Sequence, residues 1–133
     1  MKGYIIDLEK ATLENTDYRR VLYTGKNSQL VLMCLKPAEE IGAEVHHLDQ
    51  FLRFEAGVGK AILDGVETEV RDGFSVTVPA GTKHNFINTS ATEDLKLYTV
   101  YSPPEHKDGT VRKTKSDADN PDNVEEFDGK TSE

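Results

Sequence analysis

"GFSVTVPAGTKHNFIN", Gly73 to Asn88, decides the fold. Two short runs that suit strands, Ser75–Val78 and His84–Asn88, flank Pro79-Ala80-Gly81. Proline fixes φ and glycine permits backbone angles that a β-carbon forbids, so the three residues predict a sharp corner between strands. His84 opens the second run, placing a metal-competent side chain directly after the corner.

The same punctuation runs outward in both directions. Short apolar or alternating runs are broken by Gly, Pro, Asn and Asp, which predicts strands at 4–6, 18–23, 30–35, 41–47, 50–56, 58–63, 66–70, 75–78, 84–88 and 95–101. No run has helical periodicity, and no internal repeat stands out. Asp64-Gly65 predicts a two-residue hairpin of type I′, because both residues tolerate positive φ. Many short antiparallel strands in one small domain close best into a sandwich or jelly-roll barrel, so the fold class is all-β.

The chain has 133 residues, about one domain's worth. Lys plus Arg number 16 against 24 Asp plus Glu, a net charge of −8, which argues against nucleic acid or an anionic membrane as partner. A small neutral or cationic ligand, or an anion held by a metal, fits better. The single cysteine, Cys34, excludes an intramolecular disulfide framework and a thiolate zinc cage, and points to a reducing, cytoplasmic home. Neither a spanning apolar run nor a secretory pattern at the start is found. Residues 1–112 read as the domain. Residues 113–133 hold three lysines against seven acids, with Val124 and Phe127 as the large apolar groups. That composition predicts a solvated, disordered acidic arm, with packing onto a partner subunit as the alternative.

Ahead of the corner lies "AEVHHLDQFLRFEAGVG", Ala43 to Gly59. In a strand Glu44 and His46 share one face while Val45 and His47 share the other. Gly73, Pro79, Gly81, His84 and Asn88 match in spacing the second motif of the cupin family, and the chain resembles a small single-domain bacterial cupin over roughly residues 30–101. The first motif, counted back from Gly57, puts Gln50 at the family glutamate, His46 at the second family histidine and Glu44 at the first. The resemblance implies a jelly-roll barrel holding one divalent transition metal per subunit, with Glu44, His46, Gln50 and His84 as ligands. Two of the four differ from the family pattern. The exchange keeps two imidazoles and one carboxylate, so the net ligand charge is unchanged.

That donor set suits Fe, Mn, Ni, Co or Zn, and two histidines with one carboxylate also form the facial set of non-haem iron oxygenases. Gln50 serves either as a weak fourth ligand or as a hydrogen-bond partner of the ligands. A polar cluster without metal is the competing account of the same residues. Tyr101 shares parity with Leu95, Leu97 and Thr99 and is the candidate general acid. His47 reads as a surface residue, His106 as an exposed loop residue, Arg53 as an ion-pair partner between strands or subunits, Asn88 as architectural and Cys34 as a buried, unreactive thiol. Phe51, facing away from the barrel, suggests a homodimer.

The expected function is binding of, or action on, a small organic molecule, with isomerase or epimerase chemistry or dioxygenase chemistry at the metal. A non-catalytic binding or sensing barrel and a vestigial barrel serving as an interaction protein are the rivals. Phosphorylated sugars fit poorly, because no Arg or Lys lies beside the ligands in the sequence.

Overall fold

The computed structural model describes residues 2–123 and 126–133. Its strands are β1 (Arg19–Thr24), β2 (Gln29–Leu35), β3 (Asp49–Ala56), β4 (Val58–Leu63), β5 (Val66–Arg71), β6 (Ser75–Val78), β7 (His84–Asn88), β8 (Leu95–Ser102) and β9 (Val111–Arg112). Among the described residues they form two antiparallel sheets, one ordered β6-β3-β8-β2-β1-β9 and the other β5-β4-β7. This is the all-β jelly-roll arrangement.

The core lies between the sheets. Alternation along β3 buries Gln50, Leu52 and Phe54 and leaves Asp49 and Phe51 exposed. Phe54 of the large sheet meets Phe86 of the small one at 6.1 Å between ring centroids, and Val31, Met33, Leu35, Leu95 and Leu97 complete the packing. Leu32 and Cys34, on the other face of β2, are buried as well. Burial pushes the Cys34 thiol up to about 11, so it is protonated and inert at neutral pH.

The Asp64-Gly65 turn has φ of 51° and 83°, and Leu63 pairs with Val66 across it, as a type I′ hairpin requires. Gly57, between β3 and β4, has φ of +94°, and a β-carbon there would sit 2.4 Å from the Asp94 carbonyl oxygen. No side chain fits that approach. The Pro79 corner closes with the Thr82 N–H donating to the Pro79 carbonyl at 3.1 Å. Asn88 acts as expected, its Nδ2 donating to the carbonyls of Leu35 (3.0 Å) and Glu93 (2.8 Å).

Two expectations are corrected. Residues 4–6 form no strand, and Ile5 is 85% exposed; a helix, α1 (Leu8–Glu14), follows instead. Asp7 caps it by accepting from the Lys10 N–H at 3.2 Å, a local signal in a helix too short to display periodicity. Thr12 buries its side chain where α1 packs against β3 and β8.

Residues 41–47 are likewise not a continuous strand. They meet β7 through the bridges Glu40 to Ile87 and Glu44 to His84, the Ile41 N–H donating to the Phe86 carbonyl at 3.0 Å and the Gly42 N–H to Asn85 Oδ1 at 2.9 Å, with Gly42 at φ 105° between the bridges.

The described part of the acidic segment makes contacts with the body. A short helix, α2 (Lys115–Asp119), is capped by Thr114, and Ala118 packs on the core. Farther on, Phe127 N–H donates to the Glu105 carbonyl at 3.0 Å and Ser132 N–H to the Thr24 carbonyl at 2.9 Å. Glu133 accepts from Gly3 N–H and the Tyr23 hydroxyl. Backbone pairing with the body replaces the apolar burial that the composition lacks; Val124 lies outside the described residues.

Candidate metal centre

The site begins with one backbone pair. Glu44 and His84 exchange both N–H to carbonyl hydrogen bonds at 2.9 Å, which sets their side chains on one side of the ladder. His46, two residues on, returns to that face, and its carbonyl accepts from the Gly81 N–H at 2.8 Å. The Pro79 corner thus holds His46 as well as presenting His84. His47 points out and is exposed, as the alternation requires.

One donor atom from each of Glu44, His46 and His84 lies within 4.8 Å of the other two, so these three side chains could hold a metal ion. His84 is 3% exposed, and its Nδ1 contacts the Thr82 carbonyl at 2.9 Å. With Nδ1–H donating there, Nε2 keeps its lone pair for a ligand, the usual support for a metal-binding histidine. His46 Nε2 lies 2.7 Å from Glu44 Oε2. That hydrogen bond, working against burial, raises the proton affinity of His46 above the ordinary imidazole range.

Gln50 is 3% exposed, on β3 opposite Tyr101 of β8 and Val78 of β6. Its Nε2 donates to Thr99 Oγ1 at 3.0 Å, while its Oε1 is buried without a hydrogen-bond partner. A buried, unpaired amide oxygen is a feature that a metal would satisfy, and Gln50 pairs in register with Tyr101, whose ring lies 6.1 Å from that of His46. The residues therefore fit the ion that the donor chemistry implies. Tyr101 is buried, stands edge-on to the His46 ring at 6.1 Å, and burial holds its phenol protonated far above the usual range.

Three further residues were not evident from the sequence. Glu105 Oε1 lies 3.8 Å from His46 Nδ1, and burial raises the proton affinity of this carboxylate. His106, expected in an exposed loop, stands edge-on to Tyr101 at 5.2 Å, and burial pushes its imidazole down to about 3. It is turned inward because its backbone N–H and carbonyl are both clamped by the buried Gln29 side chain, at 3.0 and 2.7 Å. Arg19 of β1 comes near enough that its charge opposes protonation of both His46 and His106. The expectation that no cation lies near the ligands is therefore corrected: the sheet order brings one in from a strand distant in sequence. Arg53 pairs along its own strand with Glu55 at 2.6 Å, rather than between strands or subunits.

A small jelly-roll barrel with a histidine and carboxylate cluster in its interior is the class that fold and site define. The chain belongs to the cupin family: residues 31–101 match the Cupin domain. It is 44% identical to the uncharacterized protein YrkC of Bacillus subtilis over 88% of this chain and 66% of that protein. To the uncharacterized protein L612 of Acanthamoeba polyphaga mimivirus it is 43% identical over 81% of this chain and 70% of that protein. The crystal structure of BH2720 from Bacillus halodurans superposes with a TM-score of 0.85 at 41% identity, covering 88% of this chain and 93% of that one. The chain thus spans about two thirds of the length of YrkC.

Proposed function

We propose that this cupin binds one divalent transition metal (Fe, Mn, Ni, Co or Zn) through Glu44, His46 and His84, with Gln50 Oε1 as a fourth donor, and acts on a small organic molecule. The observation carrying this reading is the convergence of the Glu44, His46 and His84 donor atoms to within 4.8 Å of one another, supported by the buried, unpaired amide oxygen of Gln50. When bound, such a metal supplies Lewis acidity for isomerase or epimerase chemistry at a carbonyl or enediol, or the redox centre of a dioxygenase.

The chain's own residues do the rest. Thr82 fixes the His84 ring and Thr99 fixes the Gln50 amide. Tyr101 keeps a proton on its Oη beside the centre and serves as the general acid. The apolar side chains of Leu52 and Phe54, on the same strand face as Gln50, exclude water from beneath it. A second reading, a non-catalytic carrier or sensor, draws on the Glu44 to His46 contact at 2.7 Å, which lets the cluster satisfy itself without metal.

Metal analysis of protein purified without an affinity tag tests the first reading. Near-stoichiometric metal that falls on Glu44→Ala is expected; less than about a tenth of an equivalent after reconstitution refutes it. Aerobic screening of Fe(II)-loaded protein against sugars and keto acids separates enzyme from carrier, since binding without turnover that survives Glu44→Ala favours the carrier. We place the protein in the cytoplasm as a homodimer paired through the outer sheet face bearing Phe51, which is 36% exposed and packs beside Tyr98 at 6.4 Å. Light scattering after size exclusion tests the pairing, and Phe51→Glu is expected to yield monomer.

A further inference from the structure

Next to the candidate metal centre lies a cavity of about 170 Å³, lined among others by Arg19, Glu105, His106, Arg112, Asn123 and Glu126. Among the described residues, three buried side-chain nitrogen or oxygen atoms have no hydrogen-bond partner. One is Gln50 Oε1; the other two, Arg19 Nε and His106 Nε2, belong to residues of this cavity. A guanidinium N–H can only donate, so Arg19 Nε requires an acceptor, and the described residues provide none.

The charges are arranged by strand. Arg19 of β1 and Arg112 of β9 are paired directly across the ladder, and both line the cavity. The Arg112 guanidinium is held in place by the carbonyls of Val111 (3.3 Å) and Asn123 (3.0 Å). Glutamates line the same cavity from another pairing, Glu126 bridging to His106 next to Glu105. The β1–β9 pair thus supplies donors, and the loop residue Glu105 with Glu126 supplies acceptors. The volume accommodates roughly five or six water-sized groups, well below a drug-sized pocket.

We infer that this cavity binds a small carboxylate that also carries a hydroxyl or ammonium group, its carboxylate on Arg19 and Arg112 and its donor group on Glu105 and Glu126. Glu105 reaches His46 at 3.8 Å, and His106 connects to His46 through Tyr101 by two edge-on ring contacts. A molecule anchored here therefore borders the metal centre, and the substrate class is a small hydroxy- or amino-carboxylate. Only the word substrate rests on the function proposed above; binding in the cavity needs no metal.

The test uses the full chain, isotope-labelled and stripped with a chelator, titrated separately with glycolate, lactate, glycine, acetate and inorganic phosphate. Saturable shifts of the Arg19 and Arg112 Nε–H and His106 ring resonances are expected with glycolate, lactate or glycine. Acetate and phosphate should bind at least about tenfold more weakly, the loss expected for one charge-assisted hydrogen bond. Arg19→Gln should weaken binding about tenfold. No saturable shift by about 10 mM overturns the inference, as does equal binding of acetate or phosphate, or shifts that map elsewhere. Should Arg19→Gln fail to fold, mapping on the unaltered chain decides alone. Metal loading is measured on separate samples, so either assignment can fail without the other.

Discussion

Replacing Gln50 by glutamate isolates what this position does, because the change keeps size and shape and adds only a charge. Gln50 is 3% exposed, with Nε2 on Thr99 Oγ1 and Oε1 unpaired. Without metal, Gln50→Glu puts a carboxylate in a buried site where the hydrogen-bond partner of the parent side chain is a hydroxyl. Desolvation raises the folded-state pKa of that carboxylate, and an unpaired buried polar group costs about 1–3 kcal/mol. The sign follows: below the unfolded carboxylate pKa both states are protonated and there is no ionisation penalty, whereas as pH rises through the folded-state value the penalty appears in full. At pH 8 the metal-free variant should melt roughly 3–15 °C below the parent, at about 3–5 °C per kcal/mol for a chain of this size. Bound metal reverses the order, because the new charge faces a cation: a hundredfold gain in affinity adds about 2.7 kcal/mol at saturating metal. Thermal melts with chelator and with Mn(II) or Zn(II), at pH 5 and pH 8, read both effects. Equal metal-free stability at pH 8 would show that the site is not dry. Equal stabilisation of parent and variant by metal would remove Gln50 from the ligand set.

Gly57→Ala should destabilise by about 2–4 kcal/mol in urea denaturation, since φ is +94° and the new β-carbon would lie 2.4 Å from backbone that cannot yield; parent-like stability would disprove that packing. His106 is held down to about 3 by burial, so it is neutral when folded but takes a proton at ordinary pH when unfolded. It contributes stability above pH ~6.5 that is lost as pH falls toward 3, at most about 4–5 kcal/mol and less with solvent screening; the loss between pH 7 and 5 should shrink in His106→Gln. Removal of residues 114–133 deletes the bonds from the terminal segment to Thr24 and Glu105 and should cost roughly 1–3 kcal/mol, read as a lower melting temperature and faster proteolysis; an unchanged melt would return the segment to a solvated arm.

Local chemistry made much of this protein legible in advance. The strand, corner and strand from Gly73 to Asn88, the hairpin at Asp64-Gly65 and the facing of Glu44 with His46 away from His47 follow from φ preferences and the two-residue period of a strand, both properties of neighbouring residues. The capping signal of Asp7 was present too, but a seven-residue helix does not last long enough for periodicity to reveal it.

Which distant groups meet was decided by tertiary structure. Composition made the acidic segment look solvated, whereas its observed hold on the body is backbone pairing, which side-chain polarity does not report. Sheet order carries Arg19 on β1 and the clamped Glu105-His106 pair to the centre built by Glu44, His46 and His84, and no spacing along the chain encodes that approach. The candidate ligand types and the face they share were therefore determined by the sequence itself, while the charges around them, and the cavity those charges line, were set by the strand order of the large sheet and by the loop that Gln29 clamps against it.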